Sequence, residues 1–343
     1  MHATAAVLLL AGTIVPAASA AGGLERLEYW QTLMGVRVRI LVYARDKEPA
    51  NAAVHAAFDR IRQLNLIFSD YDEDSEVSRL MRRYTPRQPI SVSAELATVL
   101  AASLEVSRRS EGAFDVTVGP LVSLWRRSRR TKRLPTAEEL AGAKKRVGYE
   151  AVHLDIAPRT VTFDKPDMRL DFGGIVKGYA ADEARAVLAT HGFKQALVAL
   201  SGDISVGDPP PGEPGWKIGV FGLEPPGEQP KDFVWLANRA VSTAGDAFQF
   251  VEIDGKRYSH LVDPKTGLGI TRRVSVTVIA TTGLLSDGLD SAAAILGPKR
   301  GIALLKNSPG VSARFIELTE DQPKSFEIGD FSRYLVKPQP AHR

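Results

Sequence analysis

The chain has 343 residues, 44% hydrophobic and 24% charged, which is enough apolar material for a sizeable core. Its formal net charge is +4 and it has no cysteine, so disulfides, thiolate nucleophiles and cysteine-held metals are excluded. The densest basic run, RRSRRTKR at 126–133, has no interleaved aromatic residue. That argues against a nucleic-acid partner and reads as a solvated connector, or at most a docking surface for an acidic partner.

Residues 5–15 (AAVLLLAGTIV) form an apolar run of signal-peptide length, too short to span a bilayer comfortably. Pro16 follows, then the small residues Ala18, Ser19 and Ala20. The expectation is a signal peptide over 1–20, one domain over 21–335 and a polar tail over 336–343. Such a protein would be exported to the periplasm, soluble or loosely associated with the inner membrane.

Residues 24–44 are apolar and β-branched, broken at Met34-Gly35, and read as a hairpin or two short strands. Residues 51–68 carry helical spacing through Ala53, Ala57, Ile61 and Leu64. The acidic stretch 68–80 reads as a loop entering a helical turn. Ser93 is placed to cap a helix over 94–110, and Thr136 with Glu139 forms a capping box for a helix to about 146. Short strands are expected at 161–163 and 169–172, then a helix over 175–191 ended by Gly192. Strands follow at 195–200, 216–221, 240–242 and 248–253, with a hairpin turn at Asp254-Gly255. Residues 274–280 (VSVTVIA) form a strong strand, followed by a helix over 286–296, then a last short helix and a strand at 313–318. Helices and strands alternate without a βαβ register. The fold class expected is α+β: mixed sheets with packed helices in a two-lobed body with a central cleft.

Four segments carry chemistry. In 170–182 (LDFGGIVKGYAAD) a strand ends at Asp171, paired glycines turn the chain, and a helix opens with Lys177 inside it. Such a segment reads as a tight strand–helix turn with a surface lysine, or as a turn whose backbone approaches a ligand while the lysine meets phosphate as a point charge. In 285–297 (LSDGLDSAAAILG), Asp287, Asp290 and Ser291 share one helix face. Oxygen-only donors suit a hard cation such as Mg²⁺, and the two aspartates read equally as a helix N-cap and an exposed residue. In 255–267 (GKRYSHLVDPKTG), His260 ends a strand and reads as a structural histidine or a general base. In 112–120 (GAFDVTVGP), Phe114 reads as a core residue or a ring-stacking one, and Asp115 as a turn residue or an acceptor for a base or ribose.

Taken together and in this order, the segments resemble the FAD:protein FMN transferase family, ApbE. The matching pieces also include Met34-Gly35, Ser69 to Tyr71, Ser75 to Arg79, Ser201-Gly-Asp203 and Ser242-Thr-Ala-Gly-Asp246. The resemblance spans Met34 to about Gly297 and implies a T-fold-related body. It implies Mg²⁺ as cofactor and FAD as substrate, with FMN moved to a threonine or serine hydroxyl of an acceptor and AMP released. The acceptor implied is an exported or membrane-bound redox protein with a Thr/Ser flavinylation motif. By the same resemblance Asp287, Asp290, Ser291 and the Gly174 carbonyl hold the metal. Met34, Tyr71, Ala113, Phe114, Asp115, Asp171, Lys177 and His260 line the FAD site, with His260 and Asp287 catalytic. The family's usual threonine is Ser291 here, and a serine hydroxyl also coordinates. The same residues would serve hydrolysis of FAD to FMN and AMP, or a carrier that holds flavin without turnover.

Overall fold

Met34 and Gly35 both have positive φ, 51° and 71°, a two-residue turn whose twist suits a hairpin. It joins β1 (Glu25–Leu33) to β2 (Val36–Ala44) in register, Leu33 opposite Val36. The structure, a computed structural model, describes residues 23–225, 227–246 and 249–337. The expected signal peptide, and residues 338–343 of the expected tail, lie outside the described residues.

Six further strands extend the hairpin: β3 (Ala196–Leu200), β4 (Asp203–Val206), β5 (Arg239–Gly245), β6 (Val274–Ala280), β7 (Ser312–Thr319) and β8 (Gln322–Ile328). All eight lie side by side in chain order, each antiparallel to the next. β2 shows why the sheet needs cover on both faces. Val38, Ile40 and Val42 point into one apolar cluster, and Leu41 points into another. β6 is buried along its whole length, Ser275 and Thr277 included.

The larger cluster is closed by helices. Between β2 and β3 the chain makes α1 (Lys47–Phe68), α2 (Glu76–Arg83), α3 (Ala94–Arg109), α4 (Gly119–Thr131), α5 (Ala137–Lys144) and α6 (Val176–Thr190). After β6 comes α7 (Gly283–Lys306). α1, α6 and α7 pack on one sheet face through Ile61, Leu64, Ala180, Ala184, Leu289 and Ala293, all buried. Each fully buried leucine or isoleucine contributes roughly 1.5–3 kcal/mol. The other face is covered by a hairpin, Trp216–Val220 with Asp232–Leu236, and by Phe331. A smaller lobe has its own apolar cluster, in which Leu121 and Trp125 of α4 meet Val251, Ile253 and Tyr258 of a second hairpin.

Thr136 and Glu139 make both hydrogen bonds of the expected capping box. Four expectations change. Residues 169–172 form no strand: Arg169 makes one isolated bridge to Val118, and Asp171 then turns the chain. Most of the basic run at 126–133 is helical, because Leu121, Trp125 and Ser128 give α4 a buried face. The helix begun near 286 continues past Gly297, where φ is 76°, into a second segment that opens with Pro298. Residues 322–328 add the edge strand β8, polar because it is exposed. Among the described residues no helix is long and apolar enough to cross a membrane.

Candidate active site

The site forms where α6 and α7 meet. Asp171 opens it: its Oδ1 accepts from the Gly173 amide at 2.8 Å, bending the chain into the glycine turn. Gly174 then passes close to α7. A Cβ there would sit 3.4 Å from Ser291 Oγ and 3.3 Å from the Phe114 ring. One turn later Asp287 Oδ2 accepts from the Gly178 amide at 2.9 Å. Further on, Asp182 Oδ2 accepts from the amides of Gly283 and Leu284, at 2.6 and 3.2 Å. These bonds satisfy free amides at the start of α7. The glycine turn and the acidic face of α7 are thus held together at three levels.

Charge at this junction is unbalanced. Lys177 Nζ donates to Asp203 Oδ2 at 2.5 Å and lies 3.6 Å from Asp287 Oδ1. Asp203 comes from the tight turn between β3 and β4. Asp290 is 2% exposed, and its Oδ1 has no hydrogen-bond partner. Three carboxylates therefore share one ammonium, a deficit of two positive charges when all are ionised. The titration of the group reflects this. Burial, then Asp203, pushes Asp287 up to about 7, and burial, then Asp287 and Asp203, holds Asp290 well above the usual carboxylate range. Burial alone would lower Lys177, but Asp203 and Asp287 outweigh it and raise its pKa.

A buried acceptor without a partner and a two-charge deficit fit a divalent cation. With oxygen as the sole donor type, a hard ion such as Mg²⁺ fits best. Among the described residues no three His, Cys, Asp or Glu side chains converge into a ready-made metal cage. Asp287 and Asp290 would need Ser291 and the Gly174 carbonyl to complete the set.

The remaining expected residues fall around this centre. Phe114 and Ala113 are buried, Phe114 against the glycine turn. Both oxygens of Asp115 already accept protein hydrogen bonds. Oδ1 takes the Thr117 amide and hydroxyl, and Oδ2 the Tyr149 amide. Tyr71 is 77% exposed, with the Arg126 guanidinium 4.2 Å above its ring. Arg126 also pairs with Asp70 and, at 3.3 Å, with Asp171, tying the small lobe to the glycine turn. Met34 sits half-buried at the β1–β2 tip against the main core. His260 follows Ser259, whose carbonyl accepts from Trp125 Nε1 at 3.0 Å. Its Nδ1 lies 3.3 Å from the Gln249 carbonyl. Burial, then the charges of Arg129 and Lys177, pushes its pKa down to about 4.

Asp203, Asp182 and Arg126 were not singled out from the sequence. Asp203 sits in Ser201-Gly-Asp203, one of the matching pieces, but its pairing with Lys177 depends on the β3–β4 turn.

A family model described as the ApbE family matches residues 34–315. The chain belongs to the ApbE family. The FAD:protein FMN transferase of Vibrio cholerae is 32% identical over 340 residues, 98% of each chain. The ApbE fold is matched as well. The structure of the flavin transferase ApbE from V. cholerae superposes with a TM-score of 0.81 at 28% identity, covering 91% of this chain and 99% of that one. The apo flavinyl transferase ApbE of Pseudomonas stutzeri gives 0.79 at 28%, covering 91% and 97%.

Proposed function

We propose that this ApbE-family chain is a Mg²⁺-dependent FAD:protein FMN transferase, exported to the periplasm, acting on a threonine or serine of a redox acceptor protein. The observation that carries this reading is the close approach of Gly174 to Ser291 beside the unpartnered Asp290, because it sets a charge-deficient oxygen cluster at the mouth of a glycine turn. The names of the relatives support the substrate and the reaction. Residues 1–20 support the export.

In the proposed reaction the acceptor hydroxyl oxygen attacks the FMN-side phosphorus of FAD. A new P–O bond forms, the bridging P–O bond breaks and AMP leaves with the bonding pair. Phosphoryl transfer of this kind needs positioning and charge neutralisation more than covalent help. When bound, the cation supplies charge compensation at the pyrophosphate. Asp287, Asp290, Ser291 and the Gly174 carbonyl would hold it. Lys177, fixed by Asp203, keeps a fixed positive charge beside them.

His260 is suited to take the hydroxyl proton. With its pKa pushed down to about 4 it is neutral at pH 7. A carbonyl oxygen only accepts, so the contact with Gln249 puts the ring proton on Nδ1 and leaves the Nε2 lone pair free. The negative charges of a bound pyrophosphate raise its basicity towards the working range.

The test is incubation with FAD and Mg²⁺, with and without an exported flavoprotein acceptor, followed by mass spectrometry. The expected result is an acceptor mass increased by one FMN phosphoester and one AMP released per modification. AMP release at the same rate without acceptor would assign the chain to FAD hydrolysis instead. Tight flavin binding with no AMP release in either arm would leave a carrier.

A further inference from the structure

α4 presents an unbalanced basic wall. Arg126, Arg129, Arg130 and Lys132 line a groove of about 610 Å³, whose opposite side is Phe250, Val251 and Glu252. Only Arg126 of these four cations is spent on carboxylates, Asp70 and Asp171. On the same helix Arg127 pairs with Glu139, at 2.5 Å, outside the groove. Among the described residues Arg129, Arg130 and Lys132 make no ion pair, and Glu252 is the sole acid lining the groove. The far side is firm: Arg257 stacks 3.3 Å over Phe250 and is held by buried Asp246 at 2.8 Å.

Arg126 belongs both to the groove and to the rim of the site. Trp125 fixes α4 to the Ser259 carbonyl, one residue before His260, and Arg126 reaches Asp171 at the start of the glycine turn. Arg129 is close enough to His260 to depress its pKa. A chain lying in the groove would therefore deliver a residue at its inner end to His260.

We propose that this groove seats an acidic, extended segment of the acceptor protein next to the residue that is modified. The proposal rests on the transferase reading above. Its charge complementarity acts on acceptor capture and on which hydroxyl is presented, and leaves FAD binding alone. Arg130 and Lys132 are exposed and lie at the outer end of the wall, away from the carboxylate cluster.

The experiment uses the full chain and its Arg130→Glu/Lys132→Glu and Arg130→Gln/Lys132→Gln variants. The probes are a synthetic peptide with one threonine preceded by several aspartates, and the same peptide with asparagines. FAD binding is followed by flavin fluorescence, peptide modification by mass spectrometry. The expected result is unchanged FAD affinity in all three proteins. KM for the aspartate peptide should rise about tenfold in the Glu variant and less in the Gln variant. The asparagine peptide should be used poorly by all three, and added salt should erase the preference. Equal KM for both peptides, or unchanged KM in the Glu variant, would overturn the groove while leaving the transferase reading intact. Phosphatidylglycerol vesicles that bind through Arg130 and Lys132, with no discrimination between peptides, would overturn it in favour of a membrane surface. Absence of FAD binding by the unmodified chain would instead remove the transferase reading itself.

Discussion

Gly178 of α6 and Gly283 of α7 pass so closely that a Cβ on Gly178 would lie 2.0 Å from the Gly283 carbonyl oxygen. That atom is backbone and cannot swing aside, so the crossing accepts only glycine. The contact sets how near the glycine turn comes to the acidic face of α7.

Gly178→Ala is expected to cost about 1–3 kcal/mol or more through overpacking, and to abolish FMN transfer. Urea denaturation and the AMP assay check this. Gly142→Ala in α5 is the control, since nothing lies within 4 Å of its Cβ position. It should be neutral or stabilising by up to about 1 kcal/mol.

Asp287→Asn keeps an oxygen for the Gly178 amide but removes a charge from the under-neutralised cluster. The melting temperature without divalent cation should hold or rise. The increase that Mg²⁺ gives the unmodified protein should shrink or vanish, because ligand stabilisation follows binding to the folded state. Transfer should fall about a hundredfold or more. A thermal-shift titration separates the effect on metal binding from the effect on catalysis. A full Mg²⁺ response in the variant would remove Asp287 from the metal set.

Much of this architecture was legible because local signals agreed with the tertiary answer. Met34-Gly35 could only turn, residues 274–280 could only be a buried strand, and Thr136 with Glu139 marked a helix start. The carboxylates of α7 were legible from their spacing on one face. What escaped was set by distant partners. α4 looked like a solvated run because its arginines outnumber Leu121 and Trp125, the residues that bury it. Asp203 had no visible role until a strand turn carried it to Lys177. Asp182 was not singled out in its helix, yet it accepts from the amides of Gly283 and Leu284 at the start of α7.

Asp182→Ala removes acceptors for two amides at the start of α7, and should cost about 1–2 kcal/mol. Asp182→Asn retains one oxygen and should recover part of the loss. Chemical denaturation of the three proteins, compared at fixed pH, measures the difference. Equal stability in all three would mean that water satisfies those amides.

His260 gives a pH signature. Its folded pKa, about 4, is below the ordinary 6.5, so the unfolded chain binds the proton more readily. Its contribution to stability is complete above pH 6.5 and is lost as pH falls from there towards 4. The loss is on the order of 1–3 kcal/mol, given the partial exposure of the ring. His260→Gln should flatten the stability profile over that interval. Superimposable profiles for the two proteins would show that the imidazole is solvated.

The eight main strands follow one another across the sheet in the order of synthesis, so each finds its neighbour already laid down. The reaction centre does not share that order. Its glycine turn precedes β3 and Asp203 opens β4, whereas Asp287, Asp290 and Ser291 arrive only after β6. A polypeptide emerging amino end first can therefore lay down six strands before the proposed metal ligands of α7 exist, and completes the candidate site only on docking that helix.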